Sequence, residues 1–274
     1  VSGKKTSGTI RALKLASRNL LEYLMNLKSK FTLVLASLLA STAVMAETKA
    51  PEPDYTLAYN VGVTSDYRFR GMAQTSFNPA LQAGVDFAHK SGFYLGVWGS
   101  NVSWIKDYAG ATDGSLEVDL YGGYKGEISK DFTYDLGVIS YQYPGNTAPT
   151  NANTTEVYGA LTYSVVTAKY SRSTGNFIAN PNSSGSSYVE VAANFDLGGG
   201  YTITPHVGRQ FVANVVNNAG DCTDYSLTLA KDFGNGLAAT VAAMGTNADK
   251  TFYTDTQGKF LGKSVLVAGL KYSF

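Results

Sequence analysis

The residues able to do acid–base or nucleophilic chemistry are few. His89 and His206 are the two histidines, and Cys222 is the single cysteine. A membrane-embedded lipid hydrolase needs a histidine within reach of a serine and of an orienting carboxylate or amide. His89 falls in the turn His89-Lys90-Ser91-Gly92. His206 falls on the polar register of a strand that carries Thr202 and Thr204 on the same face. A site acting on lipid should face lipid, so a lipid-modifying enzyme stands only as a rival reading. One cysteine leaves no internal disulfide, no Cys/His metal spacing is present, and no cofactor is implied.

Charge, in contrast, recurs at every second residue of alternating stretches. Asp66, Arg68, Arg70, Asp86, Glu117, Asp119, Lys125, Asp135, Glu156, Lys169, Glu190 and Lys271 each occupy the polar register of a stretch whose other register is apolar. Charges in such positions line a lumen and tune what passes through it. Arg68, Arg70 and Lys271 fall on the first and last strands. Glu117, Asp119, Asp135 and Glu156 fall on strands four to six, across the ring. Lys125 and Asp66 are exceptions, one on each wall. Two consequences stay open. Opposed walls would orient dipolar or zwitterionic solutes, with at most a weak preference for cations. The same charges could instead pair across a narrow, filled interior and stiffen it.

Strands must carry these residues. The closing stretch Val265–Phe274 puts Leu266, Ala268, Leu270, Tyr272 and Phe274 on one face and Lys271, Ser273 and Gly269 on the other. Lipid on one side and water on the other requires this pattern. Twelve such stretches follow one another from about Thr56. The first is expected to run to Arg70, with Tyr67 and Phe69 outward. The ninth contains Pro205, which interrupts a ladder. Connections alternate short and long. The expected fold is therefore all-β, a 12-stranded antiparallel up-and-down transmembrane β-barrel with short periplasmic turns and longer extracellular loops.

Phe87, Phe93, Tyr124, Phe132, Tyr163, Phe195, Tyr201 and Tyr272 all fall at expected periplasmic strand ends, as an interfacial girdle would. Arg172 and Arg209 take lipid-facing registers at upper strand ends. They either contact lipopolysaccharide phosphates, which suit guanidinium geometry, or turn into solvent at a local bulge. Cys222 is expected in an outer loop.

The N-terminal part carries an address. Phe31–Val44 is apolar or small, Lys28 and Lys30 precede it, and Val44-Met45-Ala46 offers small residues at a cleavage site. This pattern is a secretory signal peptide over 25–46, since about 14 residues is too short for a helical span. Residues 1–24 read as an upstream extension ahead of the start at Met25. The barrel then occupies 47–274. Removing 1–46 leaves 15 Lys/Arg against 20 Asp/Glu, a net charge of −5. An acidic chain of this kind is not a nucleic-acid binder on charge grounds.

The run Tyr59-Asn60-Val61-Gly62-Val63-Thr64-Ser65-Asp66-Tyr67-Arg68-Phe69-Arg70-Gly71 resembles the opening strand of the TorF-type family of porin-like proteobacterial outer-membrane proteins. Gly92-Phe93-Tyr94-Leu95-Gly96-Val97-Trp98 and Lys271-Tyr272-Ser273-Phe274 match as well. The resemblance implies an outer-membrane barrel with a channel role and supplies neither solute nor site residues. The expected partners are outer-membrane lipid and lipopolysaccharide, small hydrophilic solutes and the barrel-assembly machinery. Tyr272 and Phe274 would serve as the assembly signal. A structural or adhesive barrel with a plugged lumen is the alternative to a channel.

Overall fold

The structure is a computed structural model that describes residues 53–274. The expected signal peptide, the cleavage site and the upstream extension lie outside these residues. Twelve long strands follow one another in antiparallel order. They are β1 (Tyr55–Thr64), β2 (Ala80–His89), β3 (Phe93–Asn101), β4 (Leu116–Ser129), β5 (Phe132–Gln142) and β6 (Thr154–Tyr163). Then come β7 (Val166–Ser173), β8 (Ser187–Ala193, resuming as Phe195–Gly198), β9 (Tyr201–Phe211), β10 (Cys222–Gly234), β11 (Leu237–Thr246) and β12 (Val265–Ser273). Each pairs with its neighbours in sequence, and β1 pairs with β12 from Asn60↔Ser273 to Thr64↔Gly269. The sheet is thus a closed barrel without a free edge.

Period-two alternation sets the inside and the outside. Leu57, Leu81, Leu95, Leu120, Leu136, Leu161, Leu227 and Leu270 point outward and are exposed. Such a surface is stable only against lipid. Outward aromatics meet in pairs near the short-turn end, one stacked and one tilted. Tyr55–Phe87 and Phe132–Tyr163 have ring centroids 5.6 and 6.1 Å apart.

Two-residue turns close that end. Asn235-Gly236 joins β10 to β11 and Gly199-Gly200 joins β8 to β9, all four residues at positive φ. This is the turn whose twist matches a hairpin, and it selects Asn and Gly. At the other end the connections are long, and several fold inward.

Pro205 lies inside β9 and marks a gap. The β8–β9 ladder runs to Ala192↔His206 and resumes at Phe195↔Ile203 in the same register. The missing rungs lie at Ala193 and Asn194, opposite Pro205 and Thr204. Proline has no N–H to give, so the ladder opens there and β8 is split.

Candidate functional site

The chief departure from the sequence expectation is the first strand. It ends at Thr64. Residues 65–79 turn into the barrel mouth, where Arg68–Phe69 and Met72–Ala73 pair as a two-rung hairpin. Arg68 and Arg70 are therefore on an inserted loop and not on the wall. Tyr67 and Phe69 face protein rather than lipid. Tyr67 packs edge-on against Trp98 at 5.4 Å and Phe69 against Tyr141 at 5.3 Å. Alternation continues through the hairpin because its apolar register also finds apolar partners, inside the barrel. Period two alone does not tell a lipid contact from an interior one.

Arg70 occupies the hairpin tip with Gly71, at φ +47°. This region is costly for a side chain bearing a Cβ and persists where surroundings hold it. Its guanidinium meets Glu156 on β6 at 2.6 Å and the Gln210 amide oxygen on β9 at 2.5 Å. It also lies over the rings of Phe69, Phe177 and Tyr188 at 4.7, 5.4 and 4.3 Å. Gly71 abuts the wall, where an added Cβ would come within 2.8 Å of Asp224 Cβ.

Arg68 fastens the base of the hairpin. It pairs with Asp66 at 2.6 Å and donates to the carbonyls of Gly71, Leu261 and Lys263. Burial pushes the Asp66 carboxyl up, and Arg68 pulls it back. The loop before β12 is thereby tied to the hairpin. A small apolar core fills the mouth around it. Val102, Trp104, Ile105, Tyr141, Tyr143 and Ala152 are buried there, with Trp104 on a single helical turn, α1 (Trp104–Asp107). Cys222 is the first residue of β10, buried against Met72 and Ala248, and not in an outer loop as expected.

The remaining charges stand on the inner wall. Asp135 accepts from the Tyr94 hydroxyl at 2.6 Å and lies 3.8 Å from Lys125, whose ammonium sits over the Tyr94 ring. Tyr94 also bonds to the Tyr158 hydroxyl, and Lys169 lies over the Tyr158 ring. Glu190 meets His206 at 3.0 Å, and Asp224 lies 3.6 Å from the other ring nitrogen of that histidine. Glu117 accepts from the Tyr67 hydroxyl at 2.7 Å. Asp86 accepts from Tyr121 at 2.5 Å. Asp119 stands two residues from Glu117 on the same register, and Lys271 faces the lumen near the short-turn end.

The expected segregation into a basic and an acidic wall is therefore not how the arginines are arranged. They cross the lumen on the inserted hairpin, and Arg70 joins the acidic side through Glu156. Tyr272 and Phe274 sit on the outer face of the closing seam. Phe274 exchanges both backbone hydrogen bonds with Tyr59 and stacks on its ring at 5.7 Å.

The lumen tyrosines were not singled out by the sequence. Tyr121, Tyr158 and Tyr188 lie flat on Gly96, Gly137 and Gly208 of neighbouring strands, where a Cβ would collide with each ring. Tyrosine and glycine on one register of adjacent strands were the available signal. What remains unfilled is a cavity of about 560 Å³ against β1–β4, β11 and β12. Asn60, Gln82, Asp86, Trp98, Tyr121 and Lys271 line it, below Asp66 and Arg68.

A family model, described as a bacterial protein of unknown function (Gcw_chp), matches residues 47–274. The chain belongs to the Gcw_chp family. The family match thus spans the whole barrel and starts at Glu47. No curated protein matches the sequence. Among solved structures, the KdgM porin in complex with disordered oligogalacturonate has a TM-score of 0.51 at 9% identity. The alignment covers 80% of this chain and 98% of that one. A second KdgM porin structure gives a TM-score of 0.50 at 9% identity, again over 80% and 98%. The NanC porin gives 0.49 at 9% identity over 80% and 99%. At 9% identity the likeness to the two KdgM structures is one of fold.

Proposed function

We propose that this Gcw_chp protein is a bacterial outer-membrane channel with a porin-like, non-enzymatic role. It passes small hydrophilic solutes or ions through a lumen narrowed by the loop 65–79. The observation that carries the reading is the cavity of about 560 Å³, lined in part by Asn60, Gln82, Asp86 and Lys271, inside a barrel whose outer wall is apolar. The fold shared with porins, the resemblance to the TorF-type family and the secretory signal support it. In this reading the short turns are periplasmic and the long loops extracellular. The C-terminal Tyr272 and Phe274 engage the barrel-assembly machinery. Arg172 and Arg209, on outward registers beside β8, meet lipopolysaccharide phosphates. An acidic oligosaccharide, as named for one KdgM structure, suits this lumen poorly. Asp86, Glu117 and Asp119 have no ion-pair partner among the described residues.

The filled mouth favours a second reading, a barrel held shut by its plug. Ile105 is fully buried and Met72 nearly so. Single-channel recording in planar bilayers separates the two. The channel reading expects small, steady conductance from the wild type and a larger one when residues 68–73 are replaced by a short glycine-serine link. Conductance only in the shortened protein supports the plugged reading. Silence from both overturns the channel.

A further inference from the structure

Charges inside a low-dielectric wall need partners, since a lone buried carboxylate is expensive. Within this lumen most have them. Arg68 takes Asp66, Arg70 takes Glu156, Lys125 takes Asp135, and His206 stands between Glu190 and Asp224. Three acids are left over on one wall. Among the described residues Asp86 has only the Tyr121 hydroxyl. Glu117 and Asp119 are 1% and 7% exposed, and Glu117 Oε2 and Asp119 Oδ1 have no hydrogen-bond partner among the described residues.

The aromatic faces show the same vacancy. Tyr94 carries the Lys125 ammonium at 4.6 Å, Tyr158 carries Lys169 at 4.3 Å and Tyr188 carries Arg70 at 4.3 Å. Tyr121 has no cation over it among the described residues. One of its faces is pressed on Gly96, and the ring lines the open cavity beside Asp86 and Trp98. Asp119 is its neighbour on the same face of β4. An electron-rich ring beside the cavity-lining Asp86, with the buried Asp119 carboxyl behind it on β4 and Arg68 already paired to Asp66, attracts a positive group by charge and by cation–π contact.

We propose that Tyr121 and Asp86, with the Asp119 carboxyl buried behind the ring, form a binding site for a small organic ammonium solute. The cationic group rests on the free face of Tyr121, and Trp98 closes the side. A metal ion fits less well, because one wall of the site is aromatic carbon. This assignment deepens the channel reading by naming a solute class for its lumen, yet binding itself does not require conduction.

The test is isothermal titration calorimetry of the folded barrel in neutral detergent, with tetramethylammonium chloride as probe and sodium chloride at equal ionic strength as control. Saturable heat with the first salt alone is expected. D86N should weaken binding about tenfold, and Y121L by a similar factor, while Y121F keeps the ring and stays within about threefold. Lys271 faces the cavity with the wrong sign, so K271Q should leave affinity unchanged or raise it. Folding of each variant is checked by its heat-dependent gel shift, and D86N serves where Y121L does not fold. Identical curves for the two salts, or undiminished binding by D86N and Y121L, overturn the site. Binding without bilayer conductance would remove the channel and keep the site. Conductance without binding would do the reverse.

Discussion

Arg70 reaches across the barrel mouth to Glu156, Nη2 to Oε2 at 2.6 Å, from a loop that begins at the far end of β1. Both side chains are almost wholly buried, at 9% and 1% exposure. Removing one partner strands the other's charge, which costs about 3–5 kcal/mol. R70A and E156Q should each release the loop. Hydrogen exchange of the amides in 65–79 should accelerate by at least about a hundredfold, the equivalent of ~2.7 kcal/mol. Amides of β3 to β5 should be unaffected. Unchanged exchange in R70A would show that Arg68 and the apolar contacts hold the hairpin without Arg70.

The flat tyrosines predict which glycines resist change. A Cβ on Gly208 would run into the Tyr188 hydroxyl, and one on Gly96 into the Tyr121 ring. G96V and G208V should lower the temperature at which the folded gel band disappears, at a cost of about 1–3 kcal/mol each. Gly175 has open space around its would-be Cβ, so G175A is the matched control.

The gap at Pro205 is reparable. P205T restores an N–H opposite Ala193 on a β-favouring residue. One added ladder bond is worth about 0.5–1.5 kcal/mol. The folded band of P205T should survive to a higher temperature than that of the wild type. An unchanged or lower temperature would mean that the opening at Ala193 is bridged in another way.

At the seam, Phe274 gives β1 two backbone hydrogen bonds and an aromatic stack. Deleting it should reduce the fraction of protein that migrates as a folded barrel when unboiled. F274A keeps the backbone pairing and loses the ring. If F274A behaves as the deletion does, the aromatic face carries the effect.

Much of the architecture is readable in the linear chain, because lipid on one side and water on the other force strict alternation. Leu266, Ala268 and Leu270 against Val267, Gly269 and Lys271 reproduce the two faces of β12. The even strand count and the alternation of turn lengths were legible for the same reason. The inserted hairpin was not. Tyr67 and Phe69 continue the apolar register of β1, and only the interior rings of Trp98 and Tyr141 distinguish them from lipid-facing residues. Arg70-Gly71 was the available sign. A two-residue turn with glycine second ends a strand. Parity places charges on a register but does not say which partners they find, because those depend on which strands the inserted loop touches.

The crown of the barrel is uneven in what it could accept. The loop 65–79 is pinned at its base by Arg68 and at its tip by Arg70, so a peptide spliced into it would displace ion pairs on both sides. The short 3₁₀ turn Val216–Asn218 is different, with Val216 78% exposed and no buried residue in the turn. In the proposed orientation, an epitope or a fluorophore-bearing tag grafted at Val216 would ride on the cell surface without touching the loop 65–79. It would report orientation in living bacteria while the interior stayed as built.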